Sequence, residues 1–132
     1  MSKKNEKIFR LLEDAIENLE RVANARIAAA VVYRGCIVSL ETNQFKSHPF
    51  QALYSRNEES VYWHAETNAI HSALRKLSNK QLSQSALYVC RLDQSHNRCL
   101  AKPCEGCMKA IHRYKIKRLF YTTSQEIEYD MI

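Results

Sequence analysis

Glycine and proline are nearly missing from this chain, with two of each among 132 residues. So few chain breakers exclude collagen-like and linker-rich architectures and leave little room for long structureless segments. No apolar run approaches the ~20 residues that a membrane-spanning helix needs. The basic opening MSKKNEKIFR is followed by no apolar signal core, so the expected location is the cytoplasm, with no membrane partner. Cysteine is the exception to this sparseness: there are five, an odd count, and two form a Cys-x-x-Cys pair. Without a secretion signal, that usage favours metal binding or redox chemistry over a disulfide framework. The length suits a single domain over residues 1–132 and is short for two.

Acids are scarce in one region. The formal net charge is +6, but the last nine residues, SQEIEYDMI, hold three acids and no base. Between Arg98 and Arg118, seven bases face Glu105 alone. A field of this sign attracts phosphates. A solvated basic face kept for solubility has the same composition, and charge alone does not separate a nucleotide from a nucleic acid.

Ile8, Leu11, Leu12, Ala15, Leu19 and Val22 recur at helical spacing. They predict an amphipathic helix from Asn5 to about Asn24, with Asn5 as its cap. RIAAAVVYRGCIVSL holds two apolar runs divided by Arg34-Gly35, which reads as strand, tight turn, strand. Residues 42–60 lack periodicity and contain Pro49, so they predict a long connection of the kind that often carries function. Helical period returns from His64 to Leu77. SALYVCRL is a strand, DQSHNRCLAK a loop, Cys104 to about Lys115 a short helix, and KRLFYT a fourth strand. The order predicts an α/β fold: a three-layer α/β/α sandwich around a mixed sheet of 4–5 strands. The first two strands are antiparallel, and the third and fourth are parallel through a helical crossover. The acidic tail, 124–132, adds a short strand or packs along the edge.

Two segments carry the chemistry. His64-Ala65-Glu66 and Pro103-Cys104-Glu105-Gly106-Cys107 each fall at a predicted helix start, and in layered α/β domains such starts gather at one edge of the sheet. One His and two Cys give three ligands with one coordination position left open, which is the donor set of a catalytic zinc rather than a closed structural one. Helix N-termini favour thiolate over thiol. Glu66, two residues beyond the ligand, can lie beside the open position without binding the metal. There it would move a proton between water and a substrate nitrogen. An isolated Cys-x-x-Cys is more often structural zinc or redox; the upstream His-x-Glu tips the balance. Cys36, Cys90 and Cys99 fall outside the set, and the first two sit in strand runs that predict burial. His71 and His112 read as surface or packing residues.

H-x-E followed by P-C-x-x-C is the signature of zinc-dependent nucleobase deaminases, and the sequence resembles the cytidine deaminase superfamily. HAETNAIHSAL is similar to that family's zinc helix, and LAKPCEGCMKAIHRYKIKRLFYTT to its second ligand helix with the following strand. ETN, ending at Asn43, resembles the strand end that presents an asparagine to the sugar or base. The likeness spans about Arg26 to Thr123 and is nearest to deoxycytidylate deaminases and short phage-encoded relatives, through the NQFKSHPFQ loop. It implies one zinc per chain on His64, Cys104 and Cys107, Glu66 as the proton shuttle, and a homo-oligomer in the cytoplasm (host cytoplasm if phage-encoded). Substrate contacts are expected from Asn43, Ala65, Trp63, Lys46 and His48. Tyr62 and Phe45 are alternative walls for the base, and Arg98 is a further partner for a 5′-phosphate. The chain departs from the family pattern at Glu41-Thr42, where a glycine is usual. It carries no convincing second zinc motif.

The implied activity is hydrolytic deamination of a cytosine nucleotide or nucleoside, deoxycytidylate above all. Two other readings use the same residues: a deaminase of single-stranded DNA or RNA held on the basic patch, and a non-catalytic zinc module.

Overall fold

The structure is a computed structural model that describes residues 3–18, 26–44, 48–54, 63–125 and 127–131. Helix α1 (Lys3–Glu17) is followed by the hairpin β1 (Ile27–Tyr33) and β2 (Cys36–Thr42). A short helix α2 (Pro49–Ala52) precedes α3 (Ala65–Ala73), α4 (Asn79–Ser83) and β3 (Ala86–Leu92). Then come β4 (Arg98–Cys99), α5 (Glu105–Arg113), β5 (Arg118–Thr122) and β6 (Ile127–Met131).

The described strands form one sheet in the order β2-β1-β3-β5-β6, with β4 pairing on β3. β3 and β5 are parallel through α5; the other pairs are antiparallel. At the β1–β2 turn, Arg34 and Gly35 both adopt positive φ. This is the left-handed pair that a two-residue hairpin with right-handed strand twist demands.

Alternation along the strands divides the core into two layers. Ala28, Ala30 and Val32 of β1 and Ala86, Tyr88 and Cys90 of β3 face Ile8, Phe9, Leu12 and Ile16 of α1. Ala29, Val31, Leu87 and Val89, on the opposite face, pack with Ala65, Ala69 and Ile70 of α3 and with Ala110 and Ile111 of α5. Covered on both sides, β1 and β3 are near-continuous apolar runs, as the pleat requires of central strands. The alanines of β1 and α3 let sheet and zinc-helix backbone approach closely.

The three layers agree with the sequence reading, while several boundaries differ. The sheet has six strands because Arg98–Cys99 makes a two-residue bridge to β3 and the acidic tail pairs along β5. Helix α1 begins at Lys3, so Asn5 lies inside it and does not cap it; its side chain accepts a hydrogen bond from the Tyr88 hydroxyl at 2.6 Å. The proposed extension of α1 to Asn24 falls from residue 19 on outside the described residues. α3 stops at Ala73, and Leu74 and Leu77 pack on the core from the turn that follows. Cys36 is exposed, not buried, because it opens β2 at the hairpin turn on an edge strand. Met108 and Tyr114 of the α5 segment are partly buried against the core.

Candidate active site

Both ligand-bearing segments start helices at the same edge of the sheet. His64 is the N-cap of α3, with extended backbone (φ −73, ψ 152) and no capping bond from its side chain. Cys104 is the N-cap of α5, and its sulfur accepts the Cys107 N–H at 3.5 Å. The imidazole Nδ1 of His64 lies 3.2 Å from Cys107 Sγ and 3.6 Å from Cys104 Sγ. All three donor atoms fall within 4.8 Å of one another. Tetrahedral zinc at ordinary bond lengths separates N from S by about 3.6 Å and S from S by about 3.8 Å, so the residues present fit that metal. Among the described residues this is the one cluster of three or more such ligands. Cys104 is exposed while Cys107 is buried and His64 half-buried, which leaves the open side of the site toward solvent.

The three groups already share charge. Hydrogen bonds from Cys107 and then His64 pull the Cys104 thiol down to about 3. The same Cys104 contact raises His64 and, ahead of burial, raises Cys107. Glu66 sits at the second position of α3, 4% exposed. Burial pushes its carboxyl up, and Oε1 has no hydrogen-bond partner among the described residues. A buried carboxylate oxygen left unpaired costs free energy unless something in the working site engages it.

Strand β2 is stitched to α3 beside this centre. Asn68 Nδ2 donates to Thr42 O at 3.1 Å, Ser39 Oγ donates to Ala69 O at 2.7 Å, and Gln44 N donates to Trp63 O at 2.9 Å. Asn43 is buried at the strand end, its carboxamide oxygen accepting Ile27 N–H at 3.0 Å. Trp63 is 9% exposed and stacks on His48, ring centroids 3.8 Å apart. His48 caps α2 by accepting Phe50 N–H on Nδ1 at 3.0 Å. Ala65 is fully buried in the core at the first position of α3. Lys46, Phe45 and Tyr62 lie outside the described residues.

Arg98 departs from expectation. Its guanidinium reaches Glu6 at 2.7 Å and Glu13 at 2.6 Å on α1, so it is engaged with the opposite layer of the fold. Lys102 pairs with Asp130 at 4.0 Å, and Arg118 donates to Gln84 O. Part of the basic field is therefore engaged within the chain. A cavity of about 350 Å³ between α4 and the end of α5 is lined by Asn79, Lys80, Ser83, Arg113, Tyr114 and Lys115. Cations there complement the carbonyls at the C-terminus of α5.

Sequence reasoning missed Gln51. This residue of α2 is 1% exposed, and its Oε1 accepts both the His64 N–H, at 3.1 Å, and the Thr67 hydroxyl. Thr67, at the third position of α3, is fully buried for this reason. The only sequence hint was His48-Pro49, a helix-opening pair just before Gln51.

A three-layer α/β/α sheet with a His-Cys-Cys cluster at two helix starts defines a zinc-binding protein of the deaminase type. The chain belongs to the family defined by the cytidine and deoxycytidylate deaminase zinc-binding region, whose model matches residues 2–123. It is 37% identical over 88 residues to a tRNA-specific adenosine deaminase of Rickettsia bellii (strain RML369-C), a match covering 67% of this chain and 52% of that protein. The chain thus spans about half the length of that curated relative. Among solved structures it is similar to the dCMP deaminase of the cyanophage S-TIM5. For the complex with dCMP and dUMP, the TM-score is 0.59 at 21% identity, covering 92% of this chain and 82% of the other. For the apo form it is 0.56 at 22% identity, covering 92% and 84%. No helix among the described residues is long and apolar enough to cross a membrane.

Proposed function

We propose that the protein is a zinc-dependent hydrolytic deaminase of a cytosine nucleotide or nucleoside, with deoxycytidylate as the favoured substrate. The observation that carries the chemistry is Glu66, a buried carboxyl with an unpaired oxygen two residues past a metal ligand. Zinc held by His64, Cys104 and Cys107 would supply Lewis acidity, bringing the pKa of a coordinated water to about 7. Glu66 takes a proton from water, delivers it to the ring nitrogen, and then moves a proton to the departing amine. Its burial favours the protonated form, so it can hold that proton between transfers. The net change breaks the bond from the ring carbon to the exocyclic nitrogen. Water supplies the oxygen of the uracil carbonyl, and ammonia leaves. Asn43 at the end of β2 orients the sugar or base, and the Trp63–His48 stack walls the pocket beside Ala65; Lys46 is assigned to a 5′-phosphate.

Engagement of Arg98, Lys102 and Arg118 in contacts within the chain supports a mononucleotide over a strand held on an open basic groove. A second reading, deamination of a base within a polynucleotide, is favoured by the 37% identity to a tRNA-specific adenosine deaminase. A purely structural zinc module gives no role to a buried Glu66. Exposed Leu53 and Leu100, on segments that lead into the site, support self-association as a homo-oligomer.

Ammonia release from zinc-loaded protein decides among these readings. The panel is deoxycytidine, deoxycytidylate, cytosine, adenosine, guanine, a cytosine-bearing oligonucleotide and an adenosine-bearing RNA stem-loop. Deoxycytidylate is expected to be fastest. A faster polynucleotide would install the second reading, and silence across the panel would end the enzymatic one.

A further inference from the structure

The N-cap of α3 is asked to do two incompatible things. An N-cap side chain normally accepts a hydrogen bond from the first turn, and the residue at N3 reaches back to the N-cap N–H. Here the His64 side chain is turned to Cys104 and Cys107, and no capping bond forms from it. N3 is Thr67, too short to close a capping box. The structure supplies the missing acceptor from outside the helix. Gln51 Oε1 takes the His64 N–H at 3.1 Å and the Thr67 hydroxyl as well. Thr67 Oγ1 also lies 3.2 Å from His64 O, so both polar ends of the His64 backbone are tied into one small network.

The same segment touches the other ligand helix. The carbonyl oxygen of Tyr54 sits so close to Gly106, between Cys104 and Cys107, that a Cβ there would fall well inside van der Waals contact. Phe50 packs on His71 of α3 and on Tyr114, with ring centroids at 5.0 and 6.1 Å. Residues 48–54 are therefore wedged against both ligand-bearing helices.

We infer that this segment is the positioning clamp of the metal centre, and that Gln51 is its principal positioning residue, acting through the His64 backbone. The inference rests on the metal-site reading of His64, Cys104 and Cys107 and is independent of the substrate. Partners that orient a ligand typically govern metal affinity by 10- to 100-fold, on the order of what removing this acceptor should cost.

Two variants test it. Gln51→Met keeps length and bulk without an acceptor, and Gln51→Asn keeps the carboxamide but withdraws it by one methylene. Zinc affinity of the full chain is measured by competition with a chromophoric chelator, and the ligand field by the d–d bands of the cobalt-substituted protein. Both variants should retain one zinc per chain at saturation, bind it about 10- to 100-fold more weakly, and show altered cobalt bands. If one variant does not fold, the other decides. Affinities within twofold of wild type with unchanged cobalt bands would overturn the clamp. Wild-type protein that binds no zinc would instead overturn the metal site itself, so the two failures are distinguishable.

Discussion

Glutamate and glutamine at position 66 differ by one oxygen for one amide nitrogen, and the proposed chemistry lives in that difference. Glu66→Gln should leave zinc at one per chain by elemental analysis and reduce ammonia release by about 10²–10⁴-fold, the usual worth of a general acid–base group. Loss of the zinc itself would mean that Glu66 holds the site together. The remaining thiols divide by environment. Burial pushes Cys90 up to about 12, whereas Cys36 is exposed. In zinc-loaded protein, iodoacetamide at pH 7.5 should label Cys36 and spare Cys90 until the chain unfolds, as read by peptide mass mapping. Equal labelling would contradict the packing of α1 on β3. The ligand residues could be read in advance because metal chemistry admits few donor types at fixed local spacing. Gln51 could not: its partner His64 is 13 residues away, and no period or motif marks a glutamine destined for the interior. Cys36 misled because membership of an apolar run says nothing about a residue's place at a turn.

Helix α1 is joined to the sheet by an apolar stripe and a charged pin. Arg98, on β4, bonds Glu6 and Glu13, and its hydrogen bond is the main cause that lowers the Glu6 carboxyl from 4.5. A carboxyl lowered by folding contributes stability above its unfolded pKa and loses that contribution as pH falls through the folded value. Arg98→Ala should therefore destabilise by about 1 kcal/mol near neutrality, the scale of a partly exposed charged network. The deficit should shrink below about pH 4.5. Urea unfolding at pH 7 and pH 3 checks this, and a pH-independent deficit would assign the effect to the arginine's packing over Phe9. Long elements were the ones whose period announced them: β1, β2, β3, β5 and the cores of α1, α3 and α5. The helices α2 and α4 escaped because four or five residues make barely more than one turn, and β4 because two residues show no alternation. Even so, α4 carried a readable sign, the Ser78–Gln81 capping box, in which each side chain bonds the other's backbone N–H. β4 exists through pairing with a distant strand, a fact of tertiary structure that no local pattern encodes, while the acidic tail, read as either a short strand or edge packing, pairs with β5 as β6.

Across the whole molecule, two helices from one layer bring together three metal-ligating side chains that the unfolded chain does not hold in this geometry. Free zinc at 1,000 times its Kd adds about 4 kcal/mol of stability. For a chain of this size that corresponds to a rise in Tm of about 15 °C over chelated protein. Scanning calorimetry with and without chelator measures the shift. A Tm indifferent to zinc would mean that the three ligands are not engaged in the folded state.

The parallel pairing of β3 with β5 also dictates a sequence of events during synthesis. His64 leaves the ribosome 40 residues before Cys104, and β3 emerges between them with no parallel neighbour to pair against. Until β5 follows α5 out of the exit tunnel the nascent chain must carry an incomplete sheet, and until Cys107 emerges His64 lacks its full set of fellow ligands. Non-local strand pairing of this kind forms slowly and leaves strand edges open meanwhile. Zinc capture is thus a late step in this protein's birth, and a ribosome stalled before residue 107 would release nothing able to hold the metal.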